Sequence, residues 1–287
     1  MKIAGRTFVV SGGSSGLGLS TTLNLLSQGA NVSILDINPP PSPEALTEPS
    51  PAAHLLSDSS RVLYTSTNVS SSASLQSAVN ATVRWIKEQT QVPLGGVVAC
   101  AGVGYGERIL PKQNPKKPEE VKTMSIEAFD RVIAINLRGT VDLVRLVLPH
   151  MAMTKLPEGE AEKGAIVLVS SVAAYEGQVG QVAYSASKAA VAGIVLPLAR
   201  ELGKAAGIRV VGVAPGVFQT AMTGGMGGKD AADAVQEHMV DRGMVEYPLR
   251  MGKPEEFAGF VVECLRNEML NGNVFRLDGA AKFPSRL

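Results

Sequence analysis

The chain is expected to fold as a doubly wound α/β protein around a seven-stranded parallel sheet. Three observations lead there. Seven short apolar, β-branched runs recur along the sequence, at Thr7–Ser11, Asn31–Asp36, Arg61–Thr65, Gly96–Cys100, Ala165–Ser170, Arg209–Ala214 and Asn273–Leu277. Longer segments of helical period separate them, among them Leu17–Gln28, Ser74–Gln89, Ser125–Met151 and Ser185–Ala205. Uninterrupted apolar strands are covered on both faces, and right-handed crossovers through the helices give parallel order. Third, a glycine-rich turn joins the first run to the first helix.

At 287 residues with 45% apolar side chains, the chain suits one domain of generous size spanning 1–287. Net charge is +1, with no basic or acidic block in either half. Neither nucleic acid nor an anionic membrane is expected as partner. No apolar run reads as long enough to span a bilayer, and a strand at Thr7, so soon after Met1, is not expected to follow a signal peptide. Cys100 and Cys264 lie far apart and read as reduced thiols of an intracellular protein. With His54, His150 and His238 in no ligand spacing, no metal is expected. Three stretches break the alternation. Residues 38–60 are rich in Pro and Ser and read as an exposed excursion; 107–118 carries three prolines and three lysines; glycine-rich 223–228 leads into a short helix expected over 231–240. The stretch 222–247 is expected to form a loop on the substrate side.

The turn Ser11-Gly12-Gly13-Ser14-Ser15-Gly16-Leu17-Gly18 sets Gly12, Gly16 and Gly18 in a G-x-x-x-G-x-G spacing. Without Cβ atoms there, the backbone and the N-terminus of the first helix can approach a pyrophosphate, so this strand–turn–helix points to a dinucleotide. Asp36 closes the second strand. A carboxylate there accepts both ribose hydroxyls of an adenosine and repels a 2′-phosphate. No Arg or Lys stands in the turn or just after Asp36, so NAD is expected over NADP.

Tyr184 and Lys188, four residues apart, share one face of a helix. A free phenol with a pKa of ~10 is a poor base at neutral pH, and a lysine ammonium one turn away, with the cationic nicotinamide, is expected to lower it. Lys188 could also hold the nicotinamide ribose. Ser171, just beyond a strand end, could donate to a substrate oxygen, with Ser170 beside it as a rival. Asn136, inside an apolar helix, must find partners; it reads either as a structural hydrogen-bonder or as part of a proton relay behind Lys188.

With Gly12–Gly18, Asn136, Ser171, Tyr184, Lys188 and Pro215-Gly216 in this order, the sequence resembles the classical short-chain dehydrogenase/reductase family, whose fold is Rossmann-like. Residues 14–19, Cys100-Ala101-Gly102, 171–188 and 271–279 are similar to its type 2 3-hydroxyacyl-CoA dehydrogenases, also called 17β-hydroxysteroid dehydrogenase type 10. The lysine-bearing 107–118 sits where that group has an insertion. The resemblance implies NAD-dependent oxidation of 3-hydroxyacyl-CoA thioesters, as in fatty-acid β-oxidation, by a homotetramer. It places cofactor contacts at Ser15, Leu17, Asp36, Val69, Cys100, Tyr184, Lys188, Phe218 and Thr220. Ala101, Gly102, Pro215 and Gly216 belong to the same matching motifs. Departures are Ser11 for a threonine, Ala99 for an asparagine, and Asn68 where the family has an aspartate contacting adenine. The stretches 38–60 and 222–247 look longer than in the subgroup, and the second would border the substrate.

The tail Ser285-Arg286-Leu287 is a conservative variant of the Ser-Lys-Leu peroxisomal address, so an import receptor is an expected partner and the peroxisome the expected compartment, with cytoplasm or mitochondrion as alternatives. The expected substrate is a small molecule, an acyl-CoA, whose phosphates Lys112, Lys116 and Lys117 could meet. Two other readings stand beside this one. The same machinery could act on a steroid, polyketide or other secondary metabolite. Relatives in this subgroup also serve as structural subunits of an RNA-processing assembly, which the near-neutral charge does not favour.

Overall fold

The computed structural model describes residues 1–46, 50–112, 120, 122–156, 158–224, 237 and 246–282. Strands β1 (Thr7–Ser11), β2 (Asn31–Asp36), β3 (Val62–Ser66), β4 (Leu94–Ala99), β5 (Gly164–Val169), β6 (Ile208–Pro215) and β7 (Val274–Leu277) form one sheet. Their order is β3-β2-β1-β4-β5-β6-β7, with every pair parallel. The chain winds outward from β1 to β3 and then crosses back to β4, so strand order reverses between β1 and β4. A crevice opens beyond the carboxyl ends of the strands at such a reversal.

Alternate side chains of each strand face opposite layers. Phe8 and Val10 pack with Leu25 and Leu26 of α1 (Gly16–Ser27). Val9 and Val97 pack instead with α2 (Ser72–Trp85) and with two helices introduced below. The helix expected over 125–151 is α3 (Ile126–Ile133), a π turn at Ala134–Arg138, and α4 (Gly139–Ala152). The apolar period runs through the π turn, which hides the break from the sequence. α5 (Val182–Ala206) covers β5 and β6 beside α4, and α6 (Ala221–Gly224) is one turn at the cleft. α7 (Pro254–Arg266), not singled out from the sequence, packs on α1 with Phe257, Val261 and Leu265 fully buried.

Two expectations need correction. The stretch 38–60 is not wholly an exposed excursion: it forms turns at Pro43–Ala45 and Ala53–Ser57 that bury Ala52 and Leu56. Also, α5, at 25 residues, is long and apolar enough to cross a membrane by length and composition. It escapes a search for uninterrupted apolar runs because Lys188, Arg200 and Glu201 lie within it. Here it lies across the sheet with Val191, Val195, Ala199 and Leu202 buried. The helix expected over 231–240 lies outside the described residues except Glu237.

The opposite end of the sheet is held by charge. Arg209 takes both oxygens of Glu162 (2.5 and 3.0 Å) and donates to the carbonyls of Cys264, Leu265 and Leu270 at 2.7–2.8 Å. This ties β6 to the end of α7.

Candidate active site

The turn after β1 puts Gly12 in the left-handed region (φ +69°), where its N–H donates to Leu35 O at 2.8 Å. A Cβ on Gly12 would stand 2.8 Å from Ala101 N, and one on Gly18 2.0 Å from Gly12 O. Only glycine lets these segments meet. Ser15 is the N-cap of α1 but makes no side-chain cap bond, and the first turn carries no acidic residue. The helix N-terminus is thus left open to an anion. The buried Ser14 hydroxyl has no hydrogen-bond partner among the described residues. Across the turn, the Asp36 carboxylate accepts from Ser14 N and Asn38 N, each at 3.1 Å. An uncapped helix end, a cradle that Cβ atoms would fill and an oriented carboxylate fit the phosphates and ribose of a dinucleotide.

These groups border a cleft of about 670 Å³. The predicted glycine-turn positions Gly12 and Ser15–Gly18, with Asp36, Asn68, Val69, Cys100–Gly102 and Thr220, all line it. A Cβ on Gly16 would touch Thr220 at 3.4 Å, so Thr220 roofs the turn. Asn68 spends its side-chain oxygen on Ser70 N (3.0 Å) and Ser70 Oγ (2.7 Å), leaving the amide NH₂ as its outward-facing group. Five predicted cofactor positions are not in its lining: Tyr184 and Lys188, described below, and Pro215, Gly216 and Phe218. Pro215 ends β6, buried, and Gly216 donates to Leu277 O at 3.0 Å, so both serve the β6–β7 junction. Phe218 turns its ring into the core against Phe257 (6.0 Å between centroids), so any cofactor contact there is left to the main chain. Ile37, Val103, Arg131, Ile135 and Met222 line the cleft without having been singled out. Arg131 and Ile135, four apart on the helical segment that carries Asn136, could have been found by helical spacing.

Asn136 and Lys188 stand directly behind the cleft at Gly102, where a Cβ would lie 3.2 Å from Asn136 Oδ1 and 3.4 Å from Lys188 Nζ. Ser171 caps the turn Val172–Ala174, its Oγ accepting from Ala173 N at 3.1 Å. Burial pushes the Tyr184 phenol above its ordinary pKa of 10, and the hydrogen bond with Ser171 acts the other way. In the chain by itself Ser171, rather than the ammonium, opposes the rise. Lys188 Nζ instead donates to Val169 O at 2.9 Å and lies 5.9 Å from the tyrosine ring centre. Burial brings its pKa down to about 8, with Cys100 opposing. The Cys100 thiol, packed inward although part of the residue faces the cleft, is pushed up to about 12 and stays neutral.

Asn136 is fully buried. Its Oδ1 accepts from Val103 N (2.8 Å), and its Nδ2 donates to Val103 O (3.0 Å) and Ser187 Oγ (3.1 Å). It clamps the segment leaving β4 to α5, so the structural half of its expected role is directly visible. Among the described residues, no group of three or more His, Cys, Asp and Glu could hold a metal ion. Lys112 is exposed, whereas Lys116, Lys117 and most of 222–247 lie outside the described residues.

Comparison with known proteins agrees with this geometry. Residues 6–230 match the family model for short chain dehydrogenases. The chain is 36% identical over 280 residues to the 3-hydroxyacyl-CoA dehydrogenase type-2 of Rattus norvegicus, covering 98% of this chain and 96% of that one. It is 31% identical to the ipsdienol dehydrogenase of Ips pini, covering 98% and 99%. The solved 3-hydroxyacyl-CoA dehydrogenase type-2 of Mycobacterium avium superposes with a TM-score of 0.78 at 32% identity, covering 98% of this chain and 97% of that one. The chain therefore belongs to the short-chain dehydrogenase family.

Proposed function

We propose that this oxidoreductase interconverts 3-hydroxyacyl-CoA and 3-oxoacyl-CoA thioesters with NAD, within fatty-acid β-oxidation. One observation carries the redox part: Tyr184 and Ser171 interact beside Lys188, directly behind the wall of a cleft suited to a dinucleotide. The thioester part is supported by relatives named 3-hydroxyacyl-CoA dehydrogenase type-2 along nearly the whole chain. Asp36 supports NAD, since a 2′-phosphate would meet its carboxylate.

A nicotinamide bound in the cleft would supply the two-electron acceptor or donor. The residues of the chain handle the proton and the oxygen. Ser171, its acceptor side used by Ala173 N, can donate to the substrate oxygen and hold charge developing there. With its pKa above 10, Tyr184 is protonated at neutral pH, the form that gives its proton to a ketone oxygen during reduction. In oxidation the same phenolate oxygen takes the hydroxyl proton, a form favoured by a cationic ring and by Lys188 when protonated. Asn136 keeps the wall at Val103 and the helix at Ser187 in register and would support the relay behind Lys188.

The test is NADH consumption with acetoacetyl-CoA, beside NADPH and a Tyr184→Phe control. Turnover with NADH that Tyr184→Phe abolishes would support the reading; tight NADH binding without turnover would move the substrate elsewhere. The relative named ipsdienol dehydrogenase gives a second reading, a different alcohol as substrate. We also propose a homotetramer, and import into peroxisomes through Ser285-Arg286-Leu287, which lies outside the described residues. Sedimentation tests the first. Loss of peroxisomal localisation on deleting that tail tests the second.

A further inference from the structure

We propose that Glu107 is a positioning residue: its carboxylate ties the exit of β4 to the start of α3 and its main-chain N–H ties that exit to the approach to Tyr184, so that the three segments form the wall along which the apolar chain of the substrate leaves the reacting centre. The wall begins at Gly102, in front of Lys188 and Asn136, and continues through Val103, whose N–H and carbonyl are both held by Asn136. Two residues on, Tyr105 Oη donates to Glu107 Oε2 at 2.8 Å. The same oxygen accepts from the N–H of Ser125, the N-cap of α3, at 3.1 Å. The Glu107 N–H donates to Gly180 O at 2.8 Å, in the loop that leads into the Tyr184 helix, and Ile109 O accepts from Met124 N at 3.1 Å. One residue thus joins the exit of β4, the start of α3 and the approach to Tyr184. A carboxylate oxygen can accept two donors at once, which is what this junction uses.

The same three segments carry a set of exposed aliphatic side chains: Ile109, Leu110, Ile126, Val179 and Val182 are 45–66% exposed. Grouped apolar exposure beside polar catalytic groups is the usual make-up of a ligand site. Val179 and Val182 lie on the segment leading into Tyr184, and the proposal runs the rest of the molecule, beyond the oxygen held at Tyr184, along that segment. The matching occupant is an aliphatic acyl chain. This deepens the proposed function and rests on it only for the thioester end of the substrate.

The experiment compares wild type with Glu107→Ala, Glu107→Gln and Tyr105→Phe, using NADH and 3-oxoacyl-CoA substrates of four, eight and twelve carbons. In wild type KM should fall as the chain lengthens. Glu107→Ala should raise KM for the longer chains by about tenfold, with kcat and NADH affinity little changed. Glu107→Gln, which keeps an acceptor oxygen, should recover most of the loss. Amide hydrogen exchange, which needs no turnover, should quicken in 103–110 and at the start of α3, 124–129, together in Glu107→Ala. If 124–129 stays protected, the latch is overturned. A wild type indifferent to chain length, with the aliphatic segments protected only at high protein concentration, would assign them to a second copy and overturn the substrate assignment. If wild type reduces no thioester at all, the proposed function fails while the exchange result still decides the latch.

Discussion

Ser170 donates a 2.7 Å hydrogen bond from its hydroxyl to the main-chain carbonyl of Lys188, while Ser171 beside it turns to Ala173 and the Tyr184 phenol. The end of β5 therefore divides its work between two adjacent serines, one bracing α5 and one facing the chemistry. Ser171→Ala is expected to lower kcat by about 10²–10³-fold with the fold intact. Ser170→Ala should instead cost about 1–3 kcal/mol of stability, because it leaves a buried carbonyl short of a donor. Steady-state kinetics and urea melts on both variants check this. Equal losses of kcat would show that the division of roles is wrong.

Adjacent residues on an extended chain point to opposite sides, so one of the two serines had to face the helix, but the sequence alone does not say which. The strands are legible because each is an unbroken apolar run between turn residues, and their ends shift by at most two residues. Tyr184 and Lys188 are legible because a four-residue spacing survives in any helix. The Glu107 junction is not: its partners sit on other segments, and no local period announces them. Phe218 misleads for a related reason, since a motif position does not reveal that its ring faces Phe257.

Lys188 carries a charge in a nearly sealed place, with a pKa of about 8 against an ordinary 10.5. The unfolded chain then binds more protons than the folded one between those values. Stability from this group is lowest below pH 8 and rises up to about pH 10.4. Lys188→Met should abolish turnover yet be at least as stable as wild type at pH 7, with the balance shifting toward wild type by pH 10. Urea unfolding at the two pH values reads this directly. A difference independent of pH would mean the buried ammonium is not under strain.

Glu162 behaves in the opposite sense. Burial works to raise its pKa, but the bidentate Arg209 contact and the Met1 amino group 3.0 Å away hold it below 4.5. Its contribution is present above the ordinary carboxylate pKa and lost as pH falls through the lower folded value. Glu162→Gln leaves a buried guanidinium with carbonyl partners only, and should cost about 3–5 kcal/mol at pH 7. The gap to wild type should narrow below about pH 4. Thermal melts across that range, with activity measured in parallel, would show whether this pair serves the fold alone.

Asp36 is the one carboxylate among the described residues lining the cleft, and Arg131 the one guanidinium or ammonium. Because Ser14 N and Asn38 N both donate to it, the carboxylate is held in place rather than swinging with its side chain. A dianionic 2′-phosphate brought to this spot would meet a fixed negative charge, a juxtaposition that costs several kcal/mol. Removing the carboxylate removes that repulsion together with the acceptor for the ribose hydroxyls. Asp36→Ala should therefore weaken NADH and strengthen NADPH, moving the ratio of their kcat/KM values by at least about tenfold toward NADPH. Fluorescence titration of both reduced dinucleotides against wild type and variant separates binding from turnover. Equal weakening of both would mean that Asp36 only supports the glycine turn through Ser14, and that cofactor choice is made elsewhere in the cleft.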